Sequence, residues 1–282
     1  MRREWETNPT AQPKRKTPSR CLFRFAHGER LSNFSAELLE KAREVCYNKN
    51  IKRKGGKAMK ITFLGTGAAD WSFKEHKDMG GFRRNSALLI DDCLLIDPGS
   101  DVPNALQVFG KCVEDIRYIL NTHRHGDHYC QATVDSLKSA CFYPLSAGEE
   151  KTVGKYTVTA LAANHATCKN AVHFIVSDGE KRLFYGLDGA WLMYDEVIAI
   201  KNGGVDLAVL DATVGERRGD YRIFEHNNLN MVIEMKASLE KYVKRFVISH
   251  MARTLHTSHA LLTEKMAEHD IAVAFDGLEI EL

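Results

Sequence analysis

The stretch "IRYILNTHRHGDHY", residues 116–129, runs from an apolar strand pattern directly into three histidines and an aspartate. His123 and His125 alternate on an extended or turning backbone, which brings both imidazoles to the same side. Asp127 and His128 follow just past the turn and can reach a second point a few ångströms away. This is the geometry needed for two adjacent metal ions, which lie about 3.5–4 Å apart in hydrolytic pairs.

The chain has 12 histidines, so a chance cluster on a hydrated loop is the alternative explanation. A single His-x-His pair would favour that alternative. Three further residues at the ends of predicted strands favour metal binding: His165 ends "TALAANH", Asp188 ends "RLFYGLD" and His250 ends "RFVISH". Together the two groups supply five His and two Asp, enough for two metals that share one carboxylate. Such ligands suit zinc, manganese or iron, and the sequence does not choose among them.

Strand and helix patterns alternate from residue 59 onward. The segment "NSALLIDDCLLIDPGSD" (85–101) predicts two strands that meet at an Asp-Asp turn. Amphipathic spacing predicts helices at 229–242 and 259–269. Six strand segments end in His or Asp, which predicts a layered α/β protein with its site along the strand ends.

The charge divides the 282-residue chain into two parts. Residues 1–58 carry 15 Lys and Arg against 6 Glu, or +9, and the remainder carries 24 against 31 acidic residues, or −7. We interpret 1–58 as a basic, largely disordered N-terminal extension with one helical pattern at 33–49. It is either an upstream reading-frame extension, with Met59 as the biological start, or a flexible basic leader. Residues 59–282 are the predicted catalytic domain.

Several classes of protein are disfavoured by composition. No apolar run of about 18 residues predicts a membrane helix, and no apolar segment behind the basic N-terminus predicts a secretory signal. Seven scattered cysteines form no CxxC pair, which argues against a disulfide framework and a cysteine zinc knuckle. A reducing cytoplasm is the expected location.

The motifs resemble those of the metallo-β-lactamase fold superfamily. Within it they are similar to the PhnP-like cyclic phosphodiesterases that accompany carbon–phosphorus lyase. The likeness runs through "ITFLGTGAA", "THRHGDH", "ANHA", "GLDGAW", "VLDAT", "HNNLNMV" and "FDGLEIEL", and covers residues 59–282. It implies an α/β protein with an αββα sandwich and a binuclear metal site along one edge.

The resemblance also implies residue roles. His123, His125 and His165 would hold one metal, Asp127, His128 and His250 the other, and Asp188 would bridge them. Asp127 would in addition orient a hydroxide nucleophile. His226, in "FEHNNLN", would contact the phosphate and protonate the leaving group. The cofactors would be two divalent metal ions, zinc or manganese.

One departure concerns a second, structural zinc typical of that family. Its cysteine-rich loop corresponds here to residues 70–82, which contain no Cys, and its later histidine position is Arg253. Because both halves are missing, we expect no structural zinc.

The expected activity is hydrolysis of a small cyclic phosphodiester, in the manner of an enzyme of phosphonate metabolism. Two enzyme alternatives are a tRNA 3′-processing nuclease and an ester, lactone or thioester hydrolase of the same superfamily. The nuclease would need an RNA-clamping arm before the bridging aspartate, and residues 166–187 leave only 22 positions for it. A metal-dependent binding or sensor protein is the non-enzyme alternative. We therefore expect a small-molecule substrate and neither a membrane nor a nucleic acid as partner, and homodimer formation stays open.

Overall fold

The computed structural model describes residues 58–282. The predicted helix at 33–49 lies outside the described residues, and so does nearly all of the predicted extension at 1–58. No helix among residues 58–282 is long and apolar enough to cross a membrane.

Two mixed β-sheets form the centre of the fold. The first has six strands in the spatial order β13 (Glu279–Glu281), β1 (Lys60–Gly65), β2 (Ala87–Ile90), β3 (Leu94–Ile96), β4 (Tyr118–Leu120) and β5 (Cys141–Phe142). The second has seven, in the order β12 (Ile271–Val273), β11 (Phe246–Ser249), β10 (Leu207–Asp211), β9 (Arg182–Gly186), β8 (Val172–Ser177), β7 (Tyr156–Ala162) and β6 (Glu150–Val153). Strands β3 to β5 run parallel, as do β9 to β12, and the other pairs are antiparallel.

Six α-helices lie between the strands of the described chain: α1 (Phe73–His76), α2 (Val102–Val108), α3 (Gln131–Ser136), α4 (Tyr194–Gly203), α5 (Leu229–Leu239) and α6 (His259–Ala267). Two short 3₁₀ helices occur at Val113–Asp115 and Tyr221–Phe224. Asn228 and Ser258 are the N-cap residues of α5 and α6. The side chain of each accepts a hydrogen bond from the backbone N–H of the residue three positions later.

Alternation along the strands produces three apolar layers, because successive side chains point to opposite faces of a sheet. Phe63 and Val209 lie in the layer between the two sheets. Leu210 packs with Val232 of α5 on the outer face of the second sheet, and Leu95 packs with Leu106 of α2 on the outer face of the first. The order helix, sheet, sheet, helix confirms the predicted αββα sandwich.

The predicted strand pair at 85–101 is confirmed as β2 and β3, and the two predicted C-terminal helices are confirmed as α5 and α6. At the Asp-Asp turn, Asp91 and Asp92 both have positive φ, 49° and 57°, which suits a tight hairpin turn. The sequence did not predict β5, β6, β12 and β13 or helices α1 to α4. These strands have two to four residues each, and β5 and β6 are largely exposed, so they carry little apolar periodicity.

Gly65, where β1 and β2 change register, tests this packing. A Cβ at this position would lie 1.9 Å from the carbonyl oxygen of Asn85, a backbone atom that cannot rotate away. We expect Gly65→Ala to lower the free energy of unfolding by roughly 1–3 kcal/mol or more, as overpacking does. Urea-induced unfolding of the purified protein measures it. The matched control is Gly80→Ala, since a Cβ on Gly80 meets nothing within 4 Å and the change should stay within about 0.5 kcal/mol. Equal midpoints for the two variants would contradict the packing argument.

Candidate metal centre

The candidate site lies where strands of both sheets end. Asp97, Asp188 and His250 follow the ends of β3, β9 and β11, and each has a left-handed backbone, with φ of 63°, 58° and 61°. This conformation is uncommon for residues other than glycine and is retained where the surroundings over-determine it. The three turns bring side chains from separate strands into mutual contact.

The first ligand set comprises His123, His125, His165 and Asp188, whose ligand atoms all lie within 4.8 Å of one another. Nε2 of His165 is 3.1 Å from Nδ1 of His125. Nε2 of His123 is 3.1 Å from Oδ2 of Asp188 but has no hydrogen-bond partner. The structure therefore brings together the four residues expected around one metal.

The second set comprises Asp127, His128, Asp188 and His250, again with ligand atoms within 4.8 Å of one another. Nε2 of His128 is 3.1 Å from Oδ2 of Asp188, and Nε2 of His250 is 3.0 Å from Oδ1 of the same carboxylate. Asp188 thus belongs to both sets, at the position expected of a bridge. All seven residues expected as ligands meet at this point, and their role as ligands remains a prediction.

The hydrogen-bonding state of the histidines fits a cation between them. Nδ1 of His128 lies 2.9 Å from Asp97, and Nδ1 of His250 lies 2.8 Å from the hydroxyl of Thr213. An ionised carboxylate only accepts, so Nδ1 of His128 donates to it, and the Thr213 hydroxyl, which donates to a carboxylate, accepts from His250. In neutral rings both Nε2 atoms then carry lone pairs, yet they face each other at 3.1 Å.

Electrostatics point the same way. Burial disfavours the charged form of His128 and His250, but the neighbouring carboxylates outweigh burial and raise the pKa of both imidazoles well above its usual value. Burial opposes ionisation of Asp188, but its histidine neighbours outweigh burial and lower the pKa of its carboxyl. Oδ1 of Asp188 and Nδ1 of His165 are buried without a hydrogen-bond partner. The donor set accordingly favours positive charge at this point, and divalent cations fit it.

Asp97 hydrogen-bonds to His128 of the second ligand set, on the side of the ring away from Asp188. Its Oδ1 accepts from the backbone N–H and the hydroxyl of Thr122, both at 2.8 Å, and its Oδ2 accepts from His128 at 2.9 Å and from the hydroxyl of Tyr185 at 3.3 Å. Such a carboxylate fixes the tautomer and orientation of a ligand imidazole. Sequence reasoning missed Asp97, although its place at the end of a strand in "LLIDPGSD" was a usable signal.

Asp211, at the end of β10, supports the other side of the site. Its Oδ1 accepts from the backbone N–H groups of Thr213 and Asn227, at 3.0 and 2.9 Å. Its Oδ2 accepts from the Thr213 hydroxyl at 2.8 Å and faces Nδ1 of His226 at 3.1 Å. Asp211 also lies in a third group of possible ligands, with Asp188, His226 and His250. Because both of its oxygens already accept from donors, we expect Asp211 to orient its neighbours and not to bind a cation. The strand end in "VLDAT" was again the signal that sequence reasoning left unused.

His226 lies beside the two ligand sets, two residues after the end of the 3₁₀ helix at Tyr221–Phe224. Its ring stacks on that of His250 with centroids 5.7 Å apart, and its side chain is 16% exposed. Burial lowers its pKa, but Asp211 outweighs burial, so the net effect is a raised pKa. With Nδ1 engaged by Asp211, Nε2 is the nitrogen available to a substrate.

Exposed aromatic side chains occur on the two segments next to the site. Trp191, three residues after Asp188, is 46% exposed, and Tyr221 and Phe224, just before His226, are 80% and 74% exposed. Asn227 joins the segments, because its Oδ1 accepts from the backbone N–H of Trp191 at 2.7 Å. We call Trp191, Tyr221 and Phe224, which lie within five residues of Asp188 or His226 along the chain, the rim of the site.

The loop at 70–82, where the resembling family has a structural zinc, is held by other contacts. Asp70 accepts from the backbone N–H of Arg253 at 2.7 Å, and Nε1 of Trp71 donates to the carbonyl of Met251 at 3.0 Å. Trp71 also packs edge-on against Phe82, with centroids 5.8 Å apart. These contacts join the two positions that would otherwise supply zinc ligands, and the expected absence of that zinc stays a prediction.

Two comparisons of sequence match the first part of the described chain. The family described as anti-Pycsar protein Apyc1 matches residues 59–131. The curated anti-Pycsar protein Apyc1 of Paenibacillus sp. (strain J14) is 44% identical over 73 residues, which are 25% of this chain and 26% of that protein. The matched segment, which contains the His-x-His-x-Asp-His motif, thus spans about a quarter of the relative's length.

Solved structures match over a much longer range. The metallo-β-lactamase fold protein YhfI from Bacillus subtilis aligns with a TM-score of 0.64 at 17% identity, over 80% of this chain and 100% of YhfI. A diphosphatase from the PhnP family aligns at 0.61 and 16% identity, over 79% and 98%. Zn²⁺-bound PqqB from Methylobacterium extorquens aligns at 0.61 and 17% identity, over 79% and 100%. This chain therefore has the metallo-β-lactamase fold that its motifs predicted.

Proposed function

We propose that residues 59–282 form a binuclear metal-dependent phosphodiesterase that hydrolyses a small cyclic phosphodiester. The observation that carries the proposal is the position of Asp188, whose carboxylate lies in both ligand sets. Two cations joined in this way are the arrangement used for in-line displacement at phosphorus. The fold shared with a PhnP-family diphosphatase supports a phosphate ester as substrate. The match to an anti-Pycsar protein supports a cyclic nucleotide as the diester.

His123, His125, His165 and Asp188 would hold one cation, and Asp127, His128, His250 and Asp188 the other. When bound, two divalent cations lower the pKa of a water and neutralise phosphoryl charge. Zinc and manganese are the ions that we expect.

The remaining roles belong to side chains of this chain. Asp127 would orient the water that adds to phosphorus as the ring P–O bond breaks. His226 would give its Nε2 proton to the departing oxygen, and Asp211 would keep the ring protonated and oriented through Nδ1 until that transfer. The product is a phosphomonoester whose released alcohol stays attached to the same molecule.

Two alternatives within the same fold have less support. For a tRNA 3′-processing nuclease, residues 166–187 would have to carry an RNA-clamping arm, but they form β8 and β9 joined by a turn at 178–181. For a thioester hydrolase, the His226–Asp211 pair would have no role as proton donor, because a thiolate leaves without a proton at neutral pH. An ester or lactone hydrolase would use the same pair on a departing alkoxide, and the likeness to a diphosphatase and to an anti-Pycsar protein is what favours the phosphodiester over it. Paired assays on a lactone, a thioester and cyclic nucleotides with purine and pyrimidine bases decide between the classes.

Removal of the bridge is the central test. Asp188→Ala should lose both metal ions and all diesterase activity, because each ligand set loses a carboxylate that neutralises buried positive charge. Metal analysis after dialysis, coupled to a cyclic nucleotide assay, measures both effects, and wild type should hold two ions per chain. His269→Ala, at a histidine outside both ligand sets, is the control and should match wild type. A wild-type protein that hydrolyses the diester with one ion or none would refute the proposal.

Substitution of Asp97 tests the support of His128. In Asp97→Asn the amide can turn an N–H toward Nδ1 of His128, so two donors meet and the imidazole loses its preferred tautomer. We expect metal affinity to fall about 10–100-fold. Competition with a chromophoric chelator measures it, with His269→Ala as the reference. Unchanged affinity would show that Asp97 only holds the backbone of Thr122.

Substitution of His226 tests the proton donor. His226→Ala should lower kcat on a cyclic nucleotide about 10²–10⁴-fold while both metal ions remain bound. On bis(p-nitrophenyl) phosphate the loss should be much smaller, because p-nitrophenolate leaves without a proton. An equal loss on the two substrates would contradict the assignment of His226 as general acid.

A further inference from the structure

A buried His–Glu pair lies behind the segment that carries Asp188. His173 is on β8 and Glu196 on α4, and their side chains are 1% and 0% exposed. Nδ1 of His173 lies 2.5 Å from Oε1 of Glu196. Neither residue belongs to a ligand set.

The pair holds both ends of the segment from 187 to 193. Nε2 of His173 donates to the carbonyl oxygen of Leu187 at 3.0 Å, immediately before Asp188. Oε2 of Glu196 accepts from the backbone N–H of Met193 at 2.6 Å, at the start of α4. The hydrogen bonds therefore run from the backbone beside Asp188 through both side chains to the far end of the segment.

Close packing adds a steric constraint. A Cβ on Gly189 would lie 2.6 Å from Cε1 of His173, so the backbone after Asp188 rests directly on the imidazole ring. Asp188 itself lies between the hydrogen bond at Leu187 and this contact, with its left-handed φ of 58°. A shift of the ring would move the backbone on both sides of the carboxylate.

Stability alone does not explain such a pair. A buried ion pair pays a desolvation penalty that often exceeds its Coulombic gain, and apolar residues of similar volume do as well or better. Nε2 of His173 donates to a carbonyl oxygen and Nδ1 faces a carboxyl group, an arrangement that favours a doubly protonated ring. Burial opposes that charge, but Glu196 outweighs burial and raises the pKa of the ring. What an apolar pair would not provide is two directed hydrogen bonds to the backbone of residues 187 and 193.

We propose that His173 and Glu196 are a positioning pair that sets the backbone of residues 187–189, so that the Asp188 carboxylate reaches both ligand sets. This inference rests on the proposed function, since it assumes that Asp188 bridges two cations. A carboxylate shared by two cations must be positioned within about 0.5 Å. Hydrogen bonds from residues behind the ligands provide that precision.

The test compares His173→Gln with a matched core substitution on the same strand. Phe174→Leu removes buried volume between the sheets and leaves the hydrogen bonds of His173 intact. Glutamine can keep one of the two hydrogen bonds but not both. For His173→Gln we expect metal affinity to fall about 10–100-fold at both positions, as loss of an outer partner does. Phe174→Leu should lose stability while it keeps its metal affinity.

Chelator competition gives the affinities, and the d–d spectrum of the Co²⁺-loaded protein reports the ligand geometry directly. A shifted spectrum in His173→Gln, with an unshifted one in Phe174→Leu, supports positioning. Wild-type affinity and spectrum in His173→Gln would overturn it, and so would equal losses in both variants. Glu196→Gln keeps the shape and an acceptor oxygen, and should give an intermediate loss. If His173→Gln does not fold, Glu196→Gln is compared with Phe174→Leu in its place.

Failure of this inference is distinguishable from failure of the proposed function. If wild type binds fewer than two ions, the binuclear assignment itself is wrong. If wild type binds two ions and the variants at His173 and Glu196 bind them equally well, only the positioning role is wrong.

Discussion

The structure depends on one buried carboxylate placed among imidazole lone pairs. Asp188 is almost fully buried, and its two oxygens lie about 3 Å from nitrogens of His123, His128 and His250. Without added positive charge, this arrangement would combine an unpaired buried anion with facing lone pairs, at a cost of several kcal/mol. The rest of the fold keeps these side chains together despite that cost, because the chain positions them just beyond the ends of strands.

The two-sheet architecture provides these positions at the ends of its strands. Parallel strands that end at one edge deliver polar residues to a common point, and the apolar layers on both faces keep the strands rigid. The left-handed turns at Asp97, Asp188 and His250 then redirect the chain at the place where each side chain is needed. Hydrogen bonds from Thr122 to Asp97 and from His173 to the carbonyl of Leu187 stabilise two of these turns.

The sequence predicted the fold and the residues that meet at the candidate metal centre because their signals are dense. Four candidate ligands within six positions, and His165, Asp188 and His250 at strand ends, are hard to explain otherwise. Asp97 and Asp211 carry only the weaker signal of a strand end, and Glu196 carries none, because a single Asp or Glu near an element end is ordinary in any sequence. Their importance comes from partners that are distant along the chain, as with Asp97 and His128. Edge strands such as β5 and β6 were missed for a related reason, since their few exposed residues show no pattern of burial.

The exposed side chains of the rim, unlike the candidate ligands, are not packed into the fold. Trp191, Tyr221 and Phe224 project from segments whose backbone is fixed by Asn227 and by the turn after Asp188, while their side chains contribute little to the core. Mutations at these three positions can therefore accumulate without disturbing the ligand geometry. Under the proposed function, changes on this rim would alter which substrate fits while the metal ligands stay in place.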